Sequence, residues 1–463
     1  MPMLPLEIDN SLLETLRQRR QNLHRLVDFP VVLWSGGSTA RNFPANIFPF
    51  RASSHFLYFT GLPLRNAAIR LQGGNLELFL DEAPASNALW YGETPSIEEI
   101  GAKIGAIAVY PMAELAQRVT DAATIAVQDA ATWTLQSQLL NRWVLPQQPP
   151  QDIDWQLAKA IIQLRLTHDT GAIAELRKAS EVTVAAHRAG MLAVRSSQGE
   201  SQVRAAMEQV IMAHNMTTAY SSIVTVHGEV LHNDSYHHSL TPGNLLLADV
   251  GAETPGGWAA DITRTFPVNG KFSPTQRAIY QVIWAAQQAA IAMVKPGIEY
   301  ADVHREACLA IASGLVDLGI LRGEAEDLVH KNLHALFFPH GIGHLLGLDV
   351  HDMEDLGDLA GYGEGRTRSD RFGLSYLRLN RPLEPGMLVT IEPGFYQVPA
   401  ILNDPKVRSQ YQYLVNWERL AEFADVRGIR IEDDVLVTSN GHEVLTAALP
   451  SQIDMVEELV QQG

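Results

Sequence analysis

The chain has 463 residues and a mass of 51.0 kDa, a length that predicts two to four domains, each able to bury its own core. Hydrophobic residues make up 46% and charged residues 19%, and no apolar run approaches the roughly 18 residues of a membrane helix, so disordered, fibrous and membrane-spanning proteins are excluded. The net charge of −17 repels phosphate backbones and anionic lipid surfaces, so we expect neither nucleic acid nor a membrane as a partner.

Short strand-like runs separated by helical segments fill the first third of the chain. The runs are VVLWSGG at 31–37, AAIRLQ at 67–72 and LELFLDEA at 76–83. This mixture predicts an α/β layer domain. The stretch at 145–154 concentrates prolines among polar residues, which neither continue a helix nor pair in a central strand. We therefore predict two domains, residues 1–150 and 151–463.

Two aspartates flank a turn-forming segment at 254–257, between two apolar strand runs. A hairpin here would set Asp249 and Asp261 side by side. Two partly buried like charges a few ångströms apart need a compensating charge, and a divalent cation would supply it. The alternative is that one or both aspartates cap loops or pair with Arg264.

The next segment predicts a scaffold helix that begins at Pro274. Ser273 is a favourable N-cap, Pro274 suits the first helical position, and Gln276 completes a capping box. Apolar residues then recur at helical spacing until Pro296 and Gly297 end the helix.

The single cysteine, Cys308, lies in a stretch with a helical pattern and cannot form a disulfide within the chain. The first residues lack the apolar segment of a secretory signal peptide. Together these features predict a reducing compartment, the cytoplasm.

Three histidines fall within twelve residues of the segment FFPHGIGHLLGLDVHD at 337–352. His340 and His344 are four residues apart, but Gly341 and Gly343 favour a loop or strand end over the metalloprotease helix HExxH. A lone histidine in such an apolar setting is usually a core residue. Three so close together, with His351 as the third, favour a functional site.

Two glutamates lie in strand-like segments, Glu392 in LEPGMLVTIEPGFY and Glu432 in VRGIRIEDDVLVT. Strand alternation places each on the opposite face from its preceding isoleucine, so both can enter a shared pocket. Singly, each could be a solvated strand residue. Two aspartates, two glutamates and one or more histidines in one domain instead suit a pair of Mn²⁺, Co²⁺, Fe²⁺ or Zn²⁺ ions, not a cysteine-rich structural zinc.

The order of these motifs along the chain resembles the pita-bread metallopeptidases, in particular the proline-specific branch of aminopeptidase P and prolidase. The motifs are VLHN at 230–233, DVG at 249–251, DITRTFPVNGKF at 261–272, PHGIGHLLGLDVHD at 339–352, EPGMLVTIEPG at 384–394 and GIRIEDD at 428–434. FRASSHFLYFTG at 50–61 and ALWYGE at 88–93 resemble the N-terminal domain of that branch. The resemblance implies an α+β fold in which an α/β creatinase-like N-terminal domain precedes a pita-bread catalytic domain.

The resemblance also implies a dinuclear metal site, with two divalent ions per chain and Mn²⁺ as the expected metal. Its five ligands would be Asp249, Asp261, His344, Glu392 and Glu432. Asp261 and Glu432 would bridge the two ions.

Further roles follow from the same resemblance. Glu392 would act as general base, and three histidines outside the ligand set, His232, His340 and His351, would steady the substrate carbonyl and the oxyanion. Arg430, Thr263 and Asp352 would support the ligands.

The substrate would be a peptide or dipeptide with proline in second position. Arg378 stands fourteen residues before Glu392, where prolidases place the arginine that binds the carboxylate of a dipeptide, although Arg381 competes for that role. We therefore expect an Xaa-Pro dipeptidase, with an Xaa-Pro aminopeptidase acting on longer peptides as the alternative. Relatives are commonly dimers or tetramers in which one N-terminal domain reaches over a neighbour's active site, and Trp90 is a candidate for that contact.

Two other classes of protein with this fold are alternatives. A pita-bread domain can be a non-catalytic binding module, and creatinase-like amidinohydrolases use the fold without metal. Both kinds lack the five ligands, all of which are present here.

Overall fold

The computed structural model describes residues 8–84, 86–146 and 148–463. It has two compact units. The first runs to Glu175 and also takes in Pro255–Trp258 and Met353–Leu359, and the second comprises Leu176–Thr254, Ala259–Asp352 and Ala360–Gly463. The first unit thus extends past the division predicted at residue 150, and the two domain limits stay a prediction.

The first unit mixes helices with short strands. In chain order these are α1 (Asn10–Leu26), β1 (Val31–Trp34), β2 (Ala40–Phe43), β3 (Asn46–Ile47), α2 (Ser54–Thr60), β4 (Ala68–Gln72), β5 (Asn75–Phe79), α3 (Asn87–Tyr91), α4 (Ile97–Ile104), β6 (Ala108–Tyr110), α5 (Ala130–Leu140), α6 (Asp152–Arg165) and the start of α7 (Thr170–Ala193), with 3₁₀ turns at Met112–Gln117 and Glu354–Leu359.

Its main sheet has the order β1-β4-β5-β6, with antiparallel pairs except for the parallel pair β5 and β6. Val32, Trp34 and Phe79 from this sheet pack into one buried cluster with Leu115. The three strand runs that the sequence predicts correspond to β1, β4 and β5, although each observed strand is shorter than its run. The predicted α/β character of this part of the chain is therefore confirmed.

The second unit continues α7 and holds the remaining elements. These are α8 (Glu200–Ala213), β7 (Thr217–Thr218), β8 (Ile223–Thr225), β9 (Leu245–Asp249), β10 (Ala252–Glu253), β11 (Thr263–Pro267), α9 (Pro274–Met293), α10 (Tyr300–Asp317), α11 (Ala325–His330), β12 (Leu388–Ile391), β13 (Gly394–Tyr396), α12 (Pro399–Leu402), α13 (Pro405–Gln410), α14 (Trp417–Ala421), β14 (Gly428–Arg430), β15 (Asp433–Val437), β16 (His442–Val444) and α15 (Ile453–Gln461), with 3₁₀ turns at Val194–Ser196 and Leu333–Leu336.

Small antiparallel sheets organise this unit, in the orders β11-β9-β8 and β12-β15-β16 and the pairs β13-β14 and β10-β7. Four of the candidate ligands follow or precede strand ends in these sheets. Asp249 is the last residue of β9, Asp261 precedes β11, Glu392 follows β12, and Glu432 lies between β14 and β15. Strand ends allow carboxylates to point into a common space without interrupting the hydrogen bonds of a strand.

The scaffold helix predicted from Pro274 is confirmed. The Ser273 side chain accepts a hydrogen bond from the Gln276 backbone N–H, and the Gln276 side chain accepts one from the Ser273 backbone N–H. The buried side of α9 includes Ile279, Ile283 and Ala286.

The predicted hairpin is present. Strands β9 and β11 are antiparallel, and the chain turns at Pro255 and Gly256, where Glu253 and Ala259 form an antiparallel bridge. The register differs from the expected one, because Thr263, not Asp261, pairs with Asp249. Asp261 nevertheless lies close to Asp249, since both carboxylates contact the Tyr220 hydroxyl.

Within the described residues, no helix combines the length and the apolar character needed to cross a membrane.

Candidate metal centre

A cavity of about 470 Å³ lies in the second unit. Its wall includes ten of the eleven residues to which the sequence analysis assigns a ligand, catalytic or substrate-binding role. They are His232, Asp249, Asp261, His340, His344, His351, Arg378, Glu392, Arg430 and Glu432. Trp90 is the exception, since it lies on α3 of the first unit with 75% of its side chain exposed.

Three of the candidate ligands converge at the base of the cavity. One donor atom each from Asp261, His344 and Glu432 lie within 4.8 Å of one another, and all three residues are buried. The His344 Nε2 atom is 3.5 Å from Asp261 Oδ2 and 3.8 Å from Glu392 Oε1. Its Nδ1 atom is 3.0 Å from the Leu345 carbonyl oxygen, which accepts its proton and leaves Nε2 as the acceptor nitrogen.

The carboxylates of the cluster are held at high electrostatic cost. Burial raises the pKa of Asp261 well above its usual value, and the Asp249 charge raises it further. Burial and Asp261 act in the same way on the pKa of Glu432, and burial and Glu432 on that of Glu392. Each of these shifts disfavours the charged form because negative charges face one another with little solvent.

Tyr220 adds a contact that the sequence analysis did not identify. Its hydroxyl lies 2.6 Å from Asp249 Oδ1 and 2.5 Å from Asp261 Oδ1. Burial and the two aspartates raise the pKa of this phenol well above 10, so it keeps its proton. One proton serves only one of the two carboxylates at a time, so it relieves their repulsion only in part.

Arg430 supplies a positive charge beside the same carboxylates. Its Nη2 donates to Asp249 Oδ2 at 2.5 Å, its Nε to Thr263 Oγ1 at 3.0 Å, and its Nη1 to the Tyr396 hydroxyl at 3.0 Å. The Thr263 hydroxyl in turn donates to Glu432 Oε2 at 2.6 Å. Arg430 and Thr263 thus connect and orient two candidate ligands, which agrees with the supporting role that the sequence predicts for them.

Asp352 Oδ1 accepts the Asp349 backbone N–H at 3.1 Å, and its predicted support of the ligands stays a prediction.

The three histidines outside the ligand set have distinct surroundings. His340 Nε2 lies 2.8 Å from the Tyr396 hydroxyl, and its Nδ1 lies 2.8 Å from the Gly341 carbonyl oxygen. Burial, with Arg430 adding to it, lowers the pKa of His340 to about 3, so the ring is neutral at pH 7. The ring of His351 packs 4.2 Å from that of His344, centroid to centroid. Burial and Arg430 also lower the pKa of His232.

The outer wall of the cavity combines a cation with aromatic and apolar side chains. Arg378 lies there together with Phe372, Tyr376 and Val398. Arg381, the competing candidate, is not among the lining residues, and its Nη1 donates to the Ala360 carbonyl oxygen at 2.7 Å. The structure therefore favours Arg378 over Arg381 as the arginine able to reach a bound peptide.

Tyr220 and Tyr396 are the two residues of the site that sequence reasoning missed. Each contributes one hydroxyl to residues far away in the chain, Tyr220 to Asp249 and Asp261 and Tyr396 to Arg430 and His340. Tyr396 ends the segment that carries Glu392, but a tyrosine at that place does not by itself indicate either contact.

The chemistry of the donor set fits divalent cations. Four carboxylates and one imidazole face one space, carboxylate repulsion is only partly relieved by Arg430 and Tyr220, and no sulfur is present among the five. Oxygen-rich sets with one imidazole suit Mn²⁺, Co²⁺, Fe²⁺ or Zn²⁺. Fold and cavity together define the class of protein as a metal-dependent hydrolase.

Comparison with known proteins makes the class more specific. The chain belongs to metallopeptidase family M24, whose model matches residues 174–439. A second model, the N-terminal domain of aminopeptidase P, matches residues 16–129. The expected pairing of such a domain with a pita-bread metallopeptidase domain is thereby confirmed, and residue 150 falls between the two matched segments.

Relatives resemble the chain over most of its length. A protein of Paracoccidioides lutzii named "Probable Xaa-Pro aminopeptidase PEPP" is 32% identical over 424 residues, covering 88% of this chain and 87% of the relative. The Xaa-Pro aminopeptidase of Escherichia coli is 30% identical over 437 residues, covering 89% of each chain. A structure of zinc-substituted Escherichia coli aminopeptidase P with bound product has a TM-score of 0.79 and 28% identity, covering 97% of this chain and 98% of that one.

Proposed function

We propose that this metallopeptidase is an Xaa-Pro aminopeptidase, which removes the N-terminal residue from peptides that have proline in second position and continue beyond it. The observation that carries the proposal is similarity over both matched segments to proteins named Xaa-Pro aminopeptidase. The sequence analysis placed dipeptidase first and aminopeptidase second, and the relatives support the second.

One observation keeps dipeptidase activity as the second candidate. Arg378 lies on the cavity wall and raises the positive potential at Glu392 and His232. A guanidinium there can bind the terminal carboxylate of an Xaa-Pro dipeptide by charge-assisted hydrogen bonds. A longer peptide offers an amide at the same place and gains less from the charge.

We further propose that two divalent ions, with Mn²⁺ as the native metal, bind to Asp249, Asp261, His344, Glu392 and Glu432. When bound, such ions would polarise the scissile carbonyl and make hydroxide available near neutral pH. Glu392 would act as general base and pass the proton to the leaving proline nitrogen.

The three histidines outside the ligand set complete the proposed mechanism. His351, packed on His344, donates a hydrogen bond to the oxyanion that forms as the carbonyl carbon becomes tetrahedral, and His340 does so once its Nδ1–H leaves the Gly341 carbonyl oxygen. His232 orients the substrate carbonyl. Arg430 holds Asp249 and, through Thr263, Glu432 in place while the charge of the cluster changes.

The test compares an Xaa-Pro dipeptide with the matching Xaa-Pro-Xaa tripeptide in the presence of Mn²⁺. We expect a higher kcat/KM for the tripeptide. A strong preference for the dipeptide would instead assign the chain as a dipeptidase, and hydrolysis of neither peptide, in protein that binds no metal ions in the cavity, would leave a binding module. A homo-oligomer, a contribution of Trp90 to a neighbour's site and a cytoplasmic location stay predictions.

A further inference from the structure

A second group of potential metal ligands lies in the second unit, away from the cavity. His304 and Cys308 are on α10, four residues apart and therefore on one face of the helix. His334 comes from the 3₁₀ turn at Leu333–Leu336. One ring nitrogen from each histidine and the cysteine sulfur all lie within 4.8 Å of one another, and none of the three residues lines the cavity.

This group is buried and incompletely satisfied. His304 is 2% exposed, Cys308 1% and His334 2%. Neither ring nitrogen of His334 has a hydrogen-bond partner. A buried polar atom without a partner costs about 1–3 kcal/mol, so two on one ring call for an explanation. A metal ion bound to one ring nitrogen of His334 would give one of the two unpartnered nitrogens a partner.

The spacing of the donors fits a small tetrahedral ion. Cys308 Sγ is 3.5 Å from His304 Nε2. Nitrogen and sulfur ligands at their normal bond lengths around tetrahedral zinc are about 3.5 Å apart. The Gly373 carbonyl accepts a hydrogen bond from the His304 ring, the arrangement that typically orients a metal-bound imidazole.

Gly373 also explains how the chain closes over the group. Its φ of +87° suits glycine, and a Cβ at this position would lie 2.7 Å from the Ala335 side chain and 3.5 Å from His334 Nε2. The main chain thus approaches the histidine directly.

We propose that His304, Cys308 and His334 bind one Zn²⁺-like ion in a buried structural site distinct from the cavity centre. The two-nitrogen, one-sulfur donor set selects a borderline-soft ion such as Zn²⁺ or Co²⁺ over Mn²⁺, which prefers oxygen. Binding replaces the thiol proton of Cys308, which is released to solvent, and both histidines bind as neutral rings. No electron is transferred.

The bound ion would fix α10 to the turn that precedes His340. The His304 ring lies 5.7 Å from that of Phe338, and Phe338 lies 4.7 Å from His340, centroid to centroid. Because a preformed site does not exist in the unfolded chain, the ion would be acquired during folding and would stabilise the folded state. This inference does not rest on the proposed peptidase activity.

The experiment uses full-length protein produced in cobalt-supplemented medium, so that ions are present while the chain folds. Cys308 is the only cysteine of the sequence, and the five cavity ligands contain no sulfur. A near-ultraviolet charge-transfer absorption from thiolate to cobalt therefore reports on this site alone. We expect that absorption and three cobalt ions per chain in the wild type.

Two variants on α10 test whether the third ion depends on the Cys308 thiol or is affected by any added hydroxyl on this helix. Cys308→Ser should lose the charge-transfer band and one ion while keeping the two ions of the cavity. Ala312→Ser places the same hydroxyl one turn further along α10, at another fully buried position, and should keep both the band and the third ion.

The proposal is overturned if folded wild-type protein shows no charge-transfer band, or if Cys308→Ser retains as many ions as the wild type. If Cys308→Ser fails to fold, His334→Leu gives the same test, since it removes the unpartnered nitrogens and keeps the thiol. A band of unchanged intensity in His334→Leu would also overturn the three-ligand site.

Discussion

The two candidate ligand groups of the second unit show how burial acts on charges of opposite sign. In the cavity, burial raises the pKa of the Asp261 and Glu432 carboxyl groups. In the second group, formed by His304, Cys308 and His334, burial lowers the pKa of His304 to about 4 and that of His334 to about 3. In both groups burial disfavours the charged form. The cavity carboxylates therefore repel one another when they are ionised, whereas the two histidines of the second group stay neutral.

The same difference separates the ions that each group can bind. Four carboxylates supply negative charge that cations compensate, and they favour ions that accept oxygen ligands. Two neutral imidazoles and a thiol supply polarisable donors and little charge, and they favour softer ions. Similar burial therefore leads to different metal chemistry because the donor atoms differ.

The largest effect should come from removing a carboxylate that the proposal places between two ions. Asp261→Asn or Glu432→Gln should lower kcat/KM by more than about 10³-fold and release at least one ion, because an amide does not balance the charge of two cations. Folding should persist, since the change removes a repelling charge.

The measurement combines elemental analysis with turnover of an Xaa-Pro-Xaa peptide. Glu443→Gln is the control, because Glu443 pairs with Arg177 at the surface of the second unit. Near wild-type turnover with full metal content in Asp261→Asn would contradict the dinuclear assignment. The charge-transfer band of Cys308 should be the same in all three variants.

His340 and His344, four residues apart, should differ in what their removal does to metal content and to kcat. His344→Ala should lose metal, because Nε2 of His344 faces Asp261 and Glu392. His340→Ala, and likewise His351→Ala, should keep both cavity ions and lower kcat by roughly 10²–10³-fold, as expected when a donor to an oxyanion is lost. Metal loss in His340→Ala together with retention in His344→Ala would exchange their roles.

Much of the cavity could be predicted from the sequence because its ligands lie in short motifs with distinctive residue types. Glu392 and Glu432 follow apolar strand runs, and His340, His344 and His351 are close in sequence, so residue type and spacing were sufficient to indicate a shared site. The capping box of α9 was equally local, and it was predicted to the residue.

The rest depended on contacts between distant parts of the chain. In the register of β9 and β11, Thr263 and not Asp261 lies opposite Asp249, which residue type alone does not indicate. Tyr220 reaches the ligand Asp249, and Tyr396 reaches Arg430, each through a single hydroxyl group. The spacing of His304 and Cys308 is visible in the sequence, but His334 joins them only because the 3₁₀ turn folds back onto α10.

The free energy of unfolding of metal-free protein, measured as a function of pH, should show that His334 is neutral in the folded state. The pKa of His334 is about 3 in the folded state and about 6.5 in the unfolded chain. Between these values the unfolded chain binds more protons, so the free energy of unfolding falls as pH falls. From pH 6.5 to 4 this histidine alone should account for a loss of about 3 kcal/mol.

Urea unfolding of wild type and His334→Leu over that range tests the expectation. The variant should show a shallower decline, whereas His24→Leu, at an exposed position of α1, should follow the wild type. Parallel curves for wild type and His334→Leu would mean that His334 is protonated in the folded protein. The raised carboxyl pKa values of the cavity act with the opposite sign, stabilising the metal-free fold as pH falls.

The smallest expected effect concerns Arg378, the cation at the cavity wall. The group of His304, Cys308 and His334 contains no such permanent charge. Arg378→Ala should lower kcat/KM for an Xaa-Pro dipeptide by roughly 10–100-fold, because one charge-assisted hydrogen bond to the terminal carboxylate contributes about 1.5–3 kcal/mol. A tripeptide should lose much less, since its proline carbonyl continues into an amide. Arg381→Ala, outside the cavity lining, should leave the ratio of the two substrates unchanged. Equal losses for both substrates in Arg378→Ala would show that the arginine supports the cavity wall without reading the carboxylate.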